Sequence, residues 1–156
     1  MRSAPLFVAL LVSALACARL APAAPCPECP APGKPLAERD KHSLVFAGTV
    51  YAARDSMLPA TQAGPKPYVR LVGVHARGTW KGLPSHDVVM TLDACAARAI
   101  DPEPGEYWIF YADSLNGQIV LPACTRSTPW TKAQPEIDAF GRPASLVLPR
   151  SKKASH

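Results

Sequence analysis

Most of the chemistry legible in this sequence lies in four cysteines, Cys26, Cys29, Cys95 and Cys124, with a fifth, Cys17, in the leader that precedes them. A Cys-x-x-Cys pair such as Cys26-Pro27-Glu28-Cys29 suits dithiol redox exchange, half of a zinc site, or structural disulfides. A redox pair belongs between a strand and a helix, and this one sits among prolines at 25, 27, 30 and 32. A zinc site needs a second close pair, whereas Cys95 and Cys124 are 29 positions apart. Structural disulfides are therefore the expectation. Four cysteines permit three pairings, of which one closes Cys26 on Cys29 and leaves the segment untethered. The other two tie it to distant parts of the chain, and each such closure stabilises by roughly 4 kcal/mol in the chain-entropy account.

The remaining reactive residues form no recognisable catalytic set. His42, His75, His86 and His156 show no metal-binding spacing, and neither a G-x-S-x-G elbow nor a phosphate-binding glycine loop is present. Ser85, His86 and Asp87 are consecutive, and neighbours on a strand face opposite ways, so they do not converge as a triad must. His75 is read as a half-exposed packing residue and Trp80-Lys81-Gly82 as a strand-end anchor and turn. The expectation is a protein that is not an enzyme, with no cofactor and no metal of its own.

The leader decides the compartment. Met1-Arg2 is followed by an uncharged apolar run from Leu6 to Ala18, the layout of a secretory signal peptide. Such a run is too short to span a bilayer, and no second one follows, so no membrane span is expected. Small residues at −3 and −1 offer cleavage after Ala14-Leu15-Ala16 or after Ala21-Pro22-Ala23. The later site is favoured, with the cut near Ala23 or Ala24, and residues 1–24 are assigned to the signal peptide. A lipoprotein would be acylated at Cys17, a reading that Ala14-Leu15-Ala16 fits poorly. The mature protein is expected to be secreted or periplasmic, where disulfides persist. Removing residues 1–24 deletes Arg2 and Arg19 and no acids, leaving 15 basic against 12 acidic residues. Part of that excess is Arg150, Lys152 and Lys153, in a basic tail (143–156) expected to be disordered, so the charge points to no particular partner.

A chain of 156 residues, 48% hydrophobic and 19% charged, suits one domain, here 25–142, and excludes a disordered protein. Its 18 prolines and 9 glycines predict many turns and few long helices. The arm from Pro25 to Lys34 reads as extended, with a short helical turn over Leu36 to Lys41. Strands are expected over Leu44 to Arg54, with Gly48 at a bend or close approach, and over Tyr68 to Thr79 and Asp87 to Leu92. In the second, one parity carries Tyr68, Val72, Val74 and Trp80, and the other Val69, Leu71, His75, Arg77 and Thr79. Glu106 to Ala112 is the most strand-like run, and Asn116-Gly117 turns it back through Gln118 to Leu121. Thr128-Pro129 and Pro135-Glu136 read as helix starts, and Gly141-Arg142-Pro143 as a stop. About five strands and one late short helix, without a βαβ pattern, suggest a small all-β barrel or sandwich. Phe46, Val50, Val72, Val74 and one parity of 107–111 would fill it.

Taken in order, the Cys-rich arm, Val45-Phe46-Ala47-Gly48-Thr49-Val50, Trp80-Lys81-Gly82, Cys95, Gly105-Glu106-Tyr107-Trp108-Ile109-Phe110 and Cys124 resemble a known family. It is the netrin/tissue-inhibitor-of-metalloproteinases (TIMP-like) OB-fold superfamily in its compact bacterial form. The resemblance spans roughly Cys26 to Phe140. It implies a five-stranded OB-fold-like Greek-key barrel with a short C-terminal helix, its N-terminal arm pinned by Cys26–Cys95 and Cys29–Cys124. The sequence departs from the family in spacing, since its inhibitors begin Cys-x-Cys and here Pro27 and Glu28 intervene. The implied function is a secreted protein-binding module. The alternative is a metalloprotease inhibitor in which the Cys26 amino nitrogen and carbonyl chelate the protease's zinc. In that case Cys26, Pro27, Glu28 and Cys29 form the protease-contacting arm, and the protein must be cut before Cys26. Nucleic-acid binding is not expected, because the aromatics at 107–111 are assigned to the core and the protein is exported.

Overall fold

The run Tyr107-Trp108-Ile109-Phe110-Tyr111 has no polar alternation, and the fold supplies an apolar surface on both of its sides. In a computed structural model, which describes residues 25–57, 68–82 and 86–145, this run opens a strand of nine residues. Eleven elements follow one another: α1 (Pro35–Lys41), β1 (Leu44–Met57), β2 (Tyr68–Lys81), β3 (Asp87–Asp93), α2 (Ala94–Ala99), β4 (Tyr107–Leu115), β5 (Gln118–Leu121), β6 (Thr128–Pro129), a 3-10 turn (Trp130–Lys132), α3 (Gln134–Phe140) and β7 (Ala144–Ser145).

Five strands form a ring. Their order is β1-β2-β3-β5-β4, and β4 pairs back onto β1 from Leu44↔Ala112 to Thr49↔Tyr107. All pairings in the ring are antiparallel except β3 with β5, where Met90 to Leu92 lie beside Ile119 to Leu121. β1 pairs with β4 over its first half and with β2 along nearly its whole length. Register shifts at Val45/Phe46, Ala47/Gly48 and Val50/Ala52 give it the bend such double pairing requires. At Gly48 the neighbouring strand approaches so closely that a Cβ would lie 2.6 Å from the His75 carbonyl oxygen. Asn116 and Gly117, both at positive φ, make the tight turn from β4 to β5.

Alternate residues then fall into two apolar layers. Phe46, Val50, Val72, Val74, Met90, Leu92, Trp108 and Phe110 are among those that fill the ring. Val45, Ala47, Ile109 and Tyr111 face the other way and meet Ala133, Trp80, Trp130 and Phe140 beneath the 3-10 turn and α3. β4 is thus buried on both sides from Trp108 to Ala112, which explains the unbroken apolar sequence there.

The structure corrects several expectations. Ala94–Ala99 form a helix that was not expected, capped by Asp93, whose carboxylate accepts from the Cys95 and Ala96 N–H groups. Thr128-Pro129 is a short strand on β4, not a helix start, and a 3-10 turn follows it. The expected alternation of the second strand, with Arg70 its polar exception, fails at both ends. Tyr68 is exposed at the rim, whereas Val69 and Thr79, from the opposite parity, are buried. Ala144–Ser145, assigned to the tail, pair with Gly78 and Thr79 of β2. Residues 1–24, with both cleavage sites and Cys17, and residues 146–156, with the basic cluster and His156, lie outside the described residues.

Candidate functional site

The arm runs from Pro25 to Lys34 without helix or strand, and prolines at four of its first eight positions explain why. It is fastened at two points. Cys26 is bonded to Cys95 in the first turn of α2 (Cα–Cα 5.4 Å), and Cys29 to Cys124 just beyond β5 (Cα–Cα 5.1 Å). Cys26 and Cys95 are half-buried, whereas Cys29 and Cys124 are exposed. Beside the first bridge, an Arg98 N–H donates to the Cys26 sulfur at 3.9 Å. Pro25, Pro27, Glu28 and residues 30–34 are all exposed.

The arm's far end is held by polar contacts gathered at Gly33. Its N–H donates to Glu38 Oε1 (3.0 Å), and its carbonyl accepts from Arg126 Nη1 (2.8 Å). Arg126 in turn makes a two-pronged contact with the buried Glu136 carboxylate at 2.7 Å. Glu38 also accepts from Lys41 (2.7 Å); that contact, with the Gly33 N–H, outweighs burial and holds its carboxyl below the ordinary value. A cleft of about 350 Å³ lies between residues 30–33 of the arm and Glu38, Lys41 and His42. His42 closes its floor, 3.0 Å from Asp113. Burial pushes the Asp113 carboxyl up, but the Ser43 N–H at 2.8 Å and the His42 ring outweigh it, so its pKa lies below the usual value. Among the described residues both apolar clusters begin at Leu44 and Val45, so the arm adds nothing to either.

The other residues singled out in the sequence lie elsewhere. His75 stacks on Tyr51 at 4.4 Å on the outer face of β1 and β2, with its Nδ1 2.6 Å from Asp87 Oδ1. Trp80 donates to the Gly141 carbonyl, and the Lys81 ammonium to the Arg39 and Asp40 carbonyls, so this strand end anchors α1 and α3. Trp108, Phe110 and Tyr111 are buried. Among the described residues no three His, Cys, Asp or Glu side chains are grouped to hold a metal ion, and no helix is long and apolar enough to cross a membrane. Sequence reasoning missed the Gly33–Arg126–Glu136 chain. The only signal for it was Glu136 at the start of an otherwise apolar helix face. No protein-family model matches the chain, and no curated protein matches it.

Proposed function

We propose that this is an exported protein-binding module of the netrin/TIMP type, which presents residues 25–33 as a preformed recognition edge. One observation carries the reading: Pro27, Glu28 and residues 30–33 are exposed although both flanking cysteines are covalently fixed. A free proline-rich peptide loses conformational freedom when it binds; a segment bonded at two points has already lost much of it. The order β1-β2-β3-β5-β4, the parallel β3–β5 pair and the helix between β3 and β4 support assigning the ring as an OB-fold Greek-key barrel. The leader at 1–24 and the two bridges support secretion or a periplasmic location. The burial of Trp108, Phe110 and Tyr111 in the core supports a reading without nucleic-acid binding through those aromatics.

The test is site-specific photo-crosslinking in the exported fraction. A photoreactive residue at Glu28 is expected to give protein adducts, and one at the exposed Leu115 is not. Adducts at both positions alike, or only at 115, contradict the reading.

A second reading, inhibition of a metalloprotease, is favoured by the open approach to Cys26, since Pro25 and Pro27 are both exposed. It requires a neutral amine and the adjoining carbonyl of Cys26 to reach one zinc ion. N-terminal sequencing of the exported protein decides it. Cys26 as first residue is expected under inhibition, and Ala24 or Pro25 contradicts it, because an acylated nitrogen is a poor ligand.

A further inference from the structure

The spacing of the arm's two cysteines has a use beyond presenting an edge. Pro27 occupies the second position of the four-residue run Cys26–Cys29, and a proline's fixed φ suits that position of a type I or II turn. Such a turn brings its end Cα atoms within about 7 Å, the range a disulfide spans. The same two sulfurs that now reach away from each other can therefore pair with one another. No helix or strand has to unwind first.

Access points the same way. Both sulfur-bearing residues of the Cys29–Cys124 bridge are exposed, whereas those of the Cys26–Cys95 bridge are half-buried, so a reductant meets Cys29–Cys124 first.

We propose that Cys29–Cys124 is a thiol-exchange site through which a dithiol reductant unlatches the arm. One reductant thiolate attacks the Cys124 sulfur; the Cys29–Cys124 bond breaks and its electron pair leaves on Cys29. The Cys29 thiolate then attacks the Cys26 sulfur, forming Cys26–Cys29 and expelling Cys95 as a thiolate that takes a proton from water. The second thiol of the reductant attacks its partner sulfur in the mixed disulfide, closes the reductant's own disulfide and frees Cys124 as a thiol. The net change oxidises one dithiol and leaves the protein with one disulfide and two thiols. The arm is then free of both covalent anchor points and is held only at Gly33, while the barrel core, to which it contributes no apolar residue, is unchanged. This chemistry requires no binding partner, so it stands or falls separately from the recognition reading.

The test treats the oxidised exported protein with one equivalent of dithiothreitol, alkylates with iodoacetamide and maps the species that carries two labels. Labels on Cys95 and Cys124, with Cys26 and Cys29 joined within one peptide, are expected in the majority of that species. Labels on Cys29 and Cys124 with Cys26–Cys95 intact overturn the proposal, as do labels on Cys26 and Cys95. Cys124→Ser gives a reductant-free check: Cys26–Cys29 should form by itself and leave Cys95 as the free thiol. Retention of Cys26–Cys95 with Cys29 free in that variant overturns it equally.

Discussion

Deleting the two bridges one at a time should cost the same, although one spans 69 residues and the other 95. With Cys26–Cys95 intact, the loop that Cys29–Cys124 closes runs through the existing bridge. It comprises the three steps from Cys26 to Cys29 and the 29 from Cys95 to Cys124. With Cys29–Cys124 intact, the loop closed by Cys26–Cys95 is the same circuit. A loop of about 32 residues corresponds to about 3.7 kcal/mol in the chain-entropy account. Removing the last bridge instead reopens a loop of 69 or 95 residues, worth about 4.4 or 4.7 kcal/mol. The assay is urea unfolding of the paired Cys→Ser variants, Cys26 with Cys95 and Cys29 with Cys124, followed by tryptophan fluorescence and circular dichroism. The expected result is two equal losses near that first value. Losses that differ by more than about 1 kcal/mol, or a loss near zero for either pair, would refute the reasoning that the arm acts chiefly by restraining the unfolded chain.

Other substitutions probe the barrel and the arm's anchor. Glu136→Ala removes the carboxylate that holds the half-buried Arg126 and should cost about 1.5–3 kcal/mol in urea unfolding, while Asp138→Ala on the same helix should cost under about 0.5 kcal/mol; equal costs would contradict the burial of Glu136. Phe110→Ala, inside the ring, should cost about 3–5 kcal/mol, and Val89→Ala, on the outer face, under about 0.5 kcal/mol. Gly48→Ala should destabilise by about 1–3 kcal/mol because its Cβ meets Val74 and the His75 backbone. Gly73→Ala should cost less, since its Cβ meets only the ring of the exposed Tyr51, which can swing aside. Asp113 has a lowered pKa when folded, so its contribution is present above the unfolded value near 4 and is lost as pH falls through the folded value. Asp113→Asn should therefore lose about 1 kcal/mol at pH 7, a gap that narrows as pH falls below about 4; a gap that stays constant into acid contradicts this.

Strand content was legible because β-branched and aromatic runs bounded by Pro and Gly leave few alternatives. Phe46, Val50, Val72 and Val74 could be assigned to the interior for the same reason. The second layer under α3 was not, because the alternation of Trp108 and Phe110 with Ile109 and Tyr111 looks like one core until a partner for the other face is known. α2 was missed although Asp93 followed by an alanine-rich run is a readable cap and helix. Parity failed at Tyr68, which stands exposed at the rim, and at Thr79, whose hydroxyl is buried against the Val45 and Gly82 carbonyls at the other strand end. For the arm, an even count of cysteines after the leader pointed to disulfides, but counting left three pairings open. The anchor at Gly33 rests in part on the contact of its carbonyl with Arg126, 93 positions away, which no local pattern encodes.

Backbone ¹⁵N relaxation in the oxidised native protein tests most directly whether the arm is held in place ready to bind. The amides of Cys26, Glu28, Cys29, Ala31 and Gly33 should show order parameters near those of the barrel strands, about 0.85. Values below about 0.6 along the arm, beside rigid strands, would contradict a preformed edge.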